Sequence, residues 1–187
     1  MRFICLPFRF TCLVLAALLV ACGGAGVKSD WERKNETRLE QEARDPVPAP
    51  PAFPRKENLV EIALREATDF RFYVDGATLG VGDGVVRYVL VARSPQGVEN
   101  VSFEAIRCAT AEYRVYALGR ADGSWGGRAG EWRLMAERPQ PWHTALQRDY
   151  FCPQGRPILS TEEGLLALRQ GGHPFAKGFS GDALRGR

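Results

Sequence analysis

The sequence predicts an α+β domain: an antiparallel β-sheet of about five to seven strands, with two short C-terminal helices covering one face. Three observations carry this reading. Alternating and β-branched runs recur between residues 59 and 135, and glycine- and proline-containing turns separate them at short intervals. After Pro139 the apolar period lengthens to that of a helix.

Within Leu59 to Leu64, Val60, Ile62 and Leu64 alternate as in a strand. Phe70-Arg71-Phe72-Tyr73-Val74 alternates more clearly, with Phe70, Phe72 and Val74 on one face. Gly76, Gly80, Gly82 and Gly84 punctuate the link that follows, where Asp83-Gly84 is a tight-turn pair. Val85 to Arg93 is rich in β-branched residues and reads as a well-buried strand. Ser94-Pro95-Gln96-Gly97 sets proline at the second position of a turn. From Val98 to Ile106, Val101, Phe103 and Ala105 alternate with Asn100, Ser102 and Glu104, so this hairpin is expected to keep one polar face. Tyr113 to Leu118 adds a strand, Ala121-Asp122-Gly123-Ser124 a turn, and Glu131 to Met135 a last short strand around Trp132.

His143 to Phe151 has helical spacing at Leu146 and Tyr150. A second helix starts at Thr161-Glu162-Glu163, capped by Thr161 or Ser160, with acidic residues where the helix dipole favours them. Gly171-Gly172 ends it.

The N-terminus carries a different message. Arg2 and Arg9 precede an apolar run from Phe10 to Val20, and Leu19-Val20-Ala21-Cys22 closes it. This resembles a bacterial lipoprotein signal, which implies removal of residues 1–21 and lipidation of Cys22. Such anchors typically carry two or three acyl chains, enough for stable attachment. Gly23 follows the cysteine, which favours the outer membrane over inner-membrane retention.

Residues 22–56 read as a tether. Gly23-Gly24-Ala25-Gly26 is flexible, Asp30 to Asp45 is charged and poor in apolar residues, and Pro46 to Pro54 is proline-rich. As polyproline II this last run would rise about 3.1 Å per residue and act as a spacer. The globular domain is expected over residues 57–175, followed by a loose tail over 176–187.

Charge and cysteine usage bound the function. The chain has 25 basic and 22 acidic residues among 187, and Arg2 and Arg9 leave with the signal. A balance this close to neutral makes no electrostatic case for nucleic acid as a partner. Cys5 and Cys12 also leave with the signal. Cys108 and Cys152 then form an even pair in an oxidising compartment, where a disulfide is favoured over two buried thiols.

Several segments recur together in a known family. They are Asp69-Phe70-Arg71-Phe72, Asp83-Gly84-Val85-Val86-Arg87-Tyr88, Ala92-Arg93-Ser94-Pro95 and Ile106-Arg107-Cys108. Asp149-Tyr150-Phe151-Cys152-Pro153 and Leu168-Arg169-Gln170-Gly171-Gly172-His173-Pro174 follow in the same order. Over about residues 50 to 175 the chain resembles the CNP-one-like domain of proteobacterial, mainly betaproteobacterial, envelope proteins. The resemblance implies a Gram-negative envelope and supplies no catalytic residues.

Tests for chemistry return little. His143 and His173 lack metal-ligand spacing, there is no Gly-x-Ser-x-Gly, and Gly80 to Gly84 is a turn rather than a phosphate loop. No catalytic residue, metal or cofactor is therefore assigned. Asp69, Asp75, Asp83 and Glu104 would suit glycan cleavage only if they converged. Trp125, Trp132 and Trp142, with Asp69 and Asp83, are the candidate ligand-facing residues; the alternative places the late aromatics in the core.

The resulting expectation is a non-enzymatic, lipid-anchored domain on the periplasmic face of the outer membrane, which binds or scaffolds an envelope protein or peptidoglycan. The competing reading is a glycan-binding or glycan-processing module.

Overall fold

Residues 71–93 set the architecture, because their strands are apolar on both faces and must be covered twice. The computed structural model describes residues 29–30, 46–127, 129–137 and 139–176. The chain divides into a unit ending at Pro46 and a unit beginning at Val47, and the fold below belongs to the second. The signal, Cys22, most of the tether and tail residues 177–187 lie outside the described residues.

The strands are β1 (Leu59–Ile62), β2 (Arg71–Asp75), β3 (Gly80–Gly82), β4 (Val85–Arg93), β5 (Glu99–Arg107), β6 (Glu112–Gly119), β7 (Trp125–Gly126) and β8 (Arg133–Leu134). They form one sheet in the order β1-β2-β4-β5-β6-β7, with β3 beside β4 and β8 beside β6. Every pairing is antiparallel. Asp83 and Gly84 have φ of 53° and 73°, the pair of left-handed residues that a two-residue hairpin between β3 and β4 requires.

The helices follow: α1 (Pro141–Ala145), a π-helical turn over Leu146–Phe151, and α2 (Thr161–Gln170). The π turn closes with Cys152 N–H donating to Gln147 O at 2.9 Å, one residue wider than an α-helical bond. Ser160 Oγ caps α2 by accepting from Glu163 N–H, and Gly171 ends it in the left-handed conformation. Gly164 lets α2 approach: a Cβ there would lie 2.6 Å from Ile158 Cδ1 and 2.7 Å from Leu79 Cδ2.

The two sheet faces bury different cores. Even-numbered residues of β4 (Val86, Tyr88, Leu90, Ala92) join Phe72, Val74, Ile106, Leu146, Phe151 and Leu168 beneath the helices. Odd-numbered residues (Val85, Val89, Val91) join Tyr73, Val101, Phe103, Ala105 and Tyr116 on the opposite face. Burying side chains of this size stabilises the fold by about 1.5–3 kcal/mol each.

A disulfide joins Cys108, just past β5, to Cys152 at the end of the π turn, with Cα atoms 5.5 Å apart. It ties the sheet to the helical layer, as the cysteine pairing expected.

Two expectations need correcting. The face of β5 expected to be polar is covered: Ser102 and Glu104 are buried, Glu104 to 1% exposure, because α1 lies over them and brings hydrogen-bond donors. The proline-rich run is also not a bare spacer along its whole length. Phe53 packs on Trp125 at 5.2 Å, and Pro51 O accepts from Trp125 Nε1 at 2.7 Å. Gly119 makes room for this contact, since a Cβ there would meet Val101 Cβ at 2.7 Å and the Phe53 ring at 3.0 Å.

Candidate functional site

Glu104 on one face of the sheet and Arg114 on the other are both buried, and the two are treated differently. On the helical face, Tyr88 of β4 stands opposite Glu104 of β5. Glu104 Oε2 accepts from Tyr88 OH at 3.0 Å, Trp142 Nε1 at 3.2 Å and His143 Nε2 at 3.0 Å, and Oε1 accepts from Ser102 Oγ at 2.6 Å. Gln140 N–H donates to His143 Nδ1 at 3.2 Å. Nδ1 therefore carries no proton, and the ring hydrogen sits on Nε2, pointed at Glu104. Tyr113 stacks on the imidazole at 3.9 Å and fixes its plane.

Burial pushes the Glu104 carboxyl up, but donation from His143, Ser102 and Tyr88 outweighs it and holds the group below 4.5. Burial, with Glu104 alongside, pushes the Tyr88 phenol well above 10. A carboxylate, an imidazole and a phenol in contact resemble acid–base machinery. Tyr88, Glu104 and His143 are nevertheless 0%, 1% and 2% exposed, so a reactant has no path to them. The cluster is a satisfied core network, and each donor left without Glu104 would cost about 1–3 kcal/mol.

A second histidine–glutamate pair uses the same wiring nearer the surface. Phe175 N–H donates to His173 Nδ1, while His173 Nε2 donates to Glu163 Oε1 at 2.9 Å. Glu163 Oε2 also accepts from Leu159 N–H. This clasp joins the segments on either side of α2.

The opposite face carries arginines. Arg87, Ala105 and Arg114 form one row across β4, β5 and β6, and Arg107 lies two residues from Ala105 on the same side. Arg107 is half-buried, donates to Glu112 at 3.1 Å and lies 4.0 Å over the Trp132 ring. Arg114 is only 4% exposed. Its Nε donates to Gly130 O at 2.8 Å, and its guanidinium faces Tyr116 at 5.3 Å and Trp132 at 5.9 Å. Its Nη1 is buried with no hydrogen-bond partner. Contact with two rings offsets part of the desolvation of a guanidinium that cannot shed its proton.

The residues singled out from sequence do not gather in one place. Trp142 packs on Phe72 and reaches Glu104 on the helical face. Trp125 and Trp132 are half-buried and pack against the opposite core. Asp69 is exposed before β2 and Asp83 is exposed in the β3–β4 turn. Pairing of Arg71 with Arg93 and of Gly82 with Val85 puts these two acids at opposite ends of β4. Asp75 caps the turn over Gly76–Thr78 by accepting from Ala77 N–H. Among the described residues, no group of three or more His, Cys, Asp or Glu is arranged to hold a metal ion.

The arginine row was missed. Its signal is a basic residue inside each of two expected strands, Arg87 in the one expected to be well buried and Arg114 in the strand from Tyr113 to Leu118. The pairing register that unites them is visible only in the fold.

Fold and disulfide together define a cross-linked α+β domain with an open antiparallel sheet covered on both faces. The CNP1-like family model matches residues 38–169, and the chain belongs to that family. It is a family of unknown function, so membership assigns no activity. No curated protein and no solved structure matches the chain.

Proposed function

We propose that this chain is a non-enzymatic binding or scaffolding domain of the cell envelope, held by a lipid on Cys22 at the periplasmic face of the outer membrane. One observation carries the non-enzymatic part. Glu104, His143 and Tyr88 form an acid–base cluster, yet their hydrogen bonds are spent on each other and on the core. The disulfide supports an oxidising compartment, and the lipoprotein-like N-terminus supports the anchor. The glycan reading draws less support, because Trp125 and Trp132 stand on one face and Trp142 on the other, with Asp69 and Asp83 far apart.

Crosslinking in intact cells, followed by mass spectrometry, tests the binding role. The expected products join the domain to an envelope protein or a peptidoglycan fragment. Recovery of cytosolic partners would contradict the proposal. Cys22→Ser is expected to abolish lipid labelling and membrane association; labelling that persists would refute the anchor.

A further inference from the structure

We infer that Arg87, Arg107 and Arg114 form a recognition site for a tetrahedral oxyanion, a phosphoryl or sulfuryl group. The inference goes beyond the scaffolding proposal and does not depend on the membrane anchor.

Register brings the three residues together. Arg87 and Arg114 flank Ala105 across the strands, and Arg107 is the next residue on that face of β5. Ala105 is the small floor between long side chains. Arg107 and Arg114 converge on the same indole, that of Trp132, which limits how their planes can turn. Guanidiniums are planar forks of donors suited to paired oxygens, and a tetrahedral anion presents oxygens in several directions at once.

Arg114 points to a ligand. Its side chain is almost wholly buried, its hydrogen bond goes to a backbone carbonyl rather than a carboxylate, and its Nη1 is buried without a hydrogen-bond partner. The mirror case on the other face, Glu104, has four donors. Arg107 shows 24% of its side chain to solvent and Arg87 is half-buried, so the row is approached from their side. Glu112, which accepts from both Arg107 and Thr110, is one carboxylate an incoming anion must compete with.

The test is a titration of the purified full chain, disulfide intact, with inorganic pyrophosphate, followed through the Nε–H resonances of Arg107 and Arg114. A parallel arm uses phosphatidylglycerol vesicles in a flotation assay. Saturable shifts with a Kd of about 1 mM or tighter are expected. Arg107→Gln should weaken binding about tenfold, Arg87→Gln should weaken it to a similar degree, and Glu112→Gln should tighten it a few-fold. Arg71→Gln, at the other end of the same face and paired with Glu61, should leave it unchanged. Arginine-dependent binding to vesicles alone would support the site with a lipid headgroup as the source of the anion. Absence of binding in both arms, or binding indifferent to Arg107 and Arg87, would overturn it. Arg107 and Arg87 serve as probes because neither is fully buried, so folding can be verified in each variant.

Discussion

The two faces of the sheet solve the same problem in opposite ways. Both bury a charge near the middle of the domain. Beneath the helices, Glu104 is surrounded by Tyr88, Ser102, Trp142 and His143, whose hydrogens all point at it. Across the sheet, Arg114 has one carbonyl acceptor and two aromatic rings, and one of its nitrogens is buried without a hydrogen-bond partner. The first arrangement is complete, and removing a member leaves several groups unsatisfied. The second is incomplete, and completing it takes an acceptor from outside. A buried charge is thus a structural device where its partners are built in, and a recognition device where they are not.

Glu104 is the position at which a substitution is expected to cost most. Glu104→Ala strands four donors and is expected to cost about 5 kcal/mol, a large part of the stability of a domain this size. Its denaturant midpoint should fall steeply relative to the unmodified chain; a loss below about 1 kcal/mol would show the network to be dispensable. The disulfide comes next, because it locks the helical layer on the same face. Replacing both Cys108 and Cys152 by Ala should cost about 4 kcal/mol by the chain-entropy argument for a loop of about 45 residues. This too is read from the denaturant midpoint.

Arg114→Met supplies the opposite result. Here an incompletely satisfied charge gives way to an apolar side chain of similar length, so stability should change by less than about 1 kcal/mol, or rise. A loss as large as that of Glu104→Ala would erase the distinction between the faces.

Stability against pH sharpens the same contrast with a smaller effect. The folded Glu104 carboxyl titrates below its unfolded value near 4.5, so its contribution is fully present above that pH and is lost as pH falls through the lower folded value. Tyr88 shifts the other way: its phenol resists ionisation in the fold, so stability present below 10 declines as pH rises beyond it. Tyr150, pushed up to about 12 chiefly by burial, adds to the alkaline loss. All three groups belong to the helical side, and the arginines of the other face stay charged throughout. Unfolding midpoints measured from pH 3 to 11 should bend at both ends for the unmodified chain. Glu104→Gln should flatten the acid limb.

The sequence revealed the sheet more readily than the site, and the residues show why. Val85 to Arg93 is a strand from local pattern alone, and Ser160 and Gly171 mark the ends of α2 through cap chemistry that needs no tertiary information. Glu104 alternates with apolar residues as a solvated side chain would, because alternation distinguishes two faces without revealing what covers them. Its burial depends on His143 and Trp142, almost forty residues later in the chain. β3 and β7 are too short and glycine-rich to show a period, and only their pairing makes them strands. Phe53 looked like part of a spacer because prolines surround it; its contact with Trp125 is long-range. The arginine row is the extreme case, since Arg87, Arg107 and Arg114 acquire a common meaning only through strand register.

Arg114 belongs to an anion site, whereas Glu104 is already satisfied. Denaturant unfolding of the full chain with and without inorganic pyrophosphate tests it most directly. An anion that binds the folded state at about 100 times its Kd should add about 2.7 kcal/mol, and Arg107→Gln, with a tenfold weaker site, should retain only about half of that. A midpoint unmoved by pyrophosphate, or moved equally in both proteins, would contradict the account.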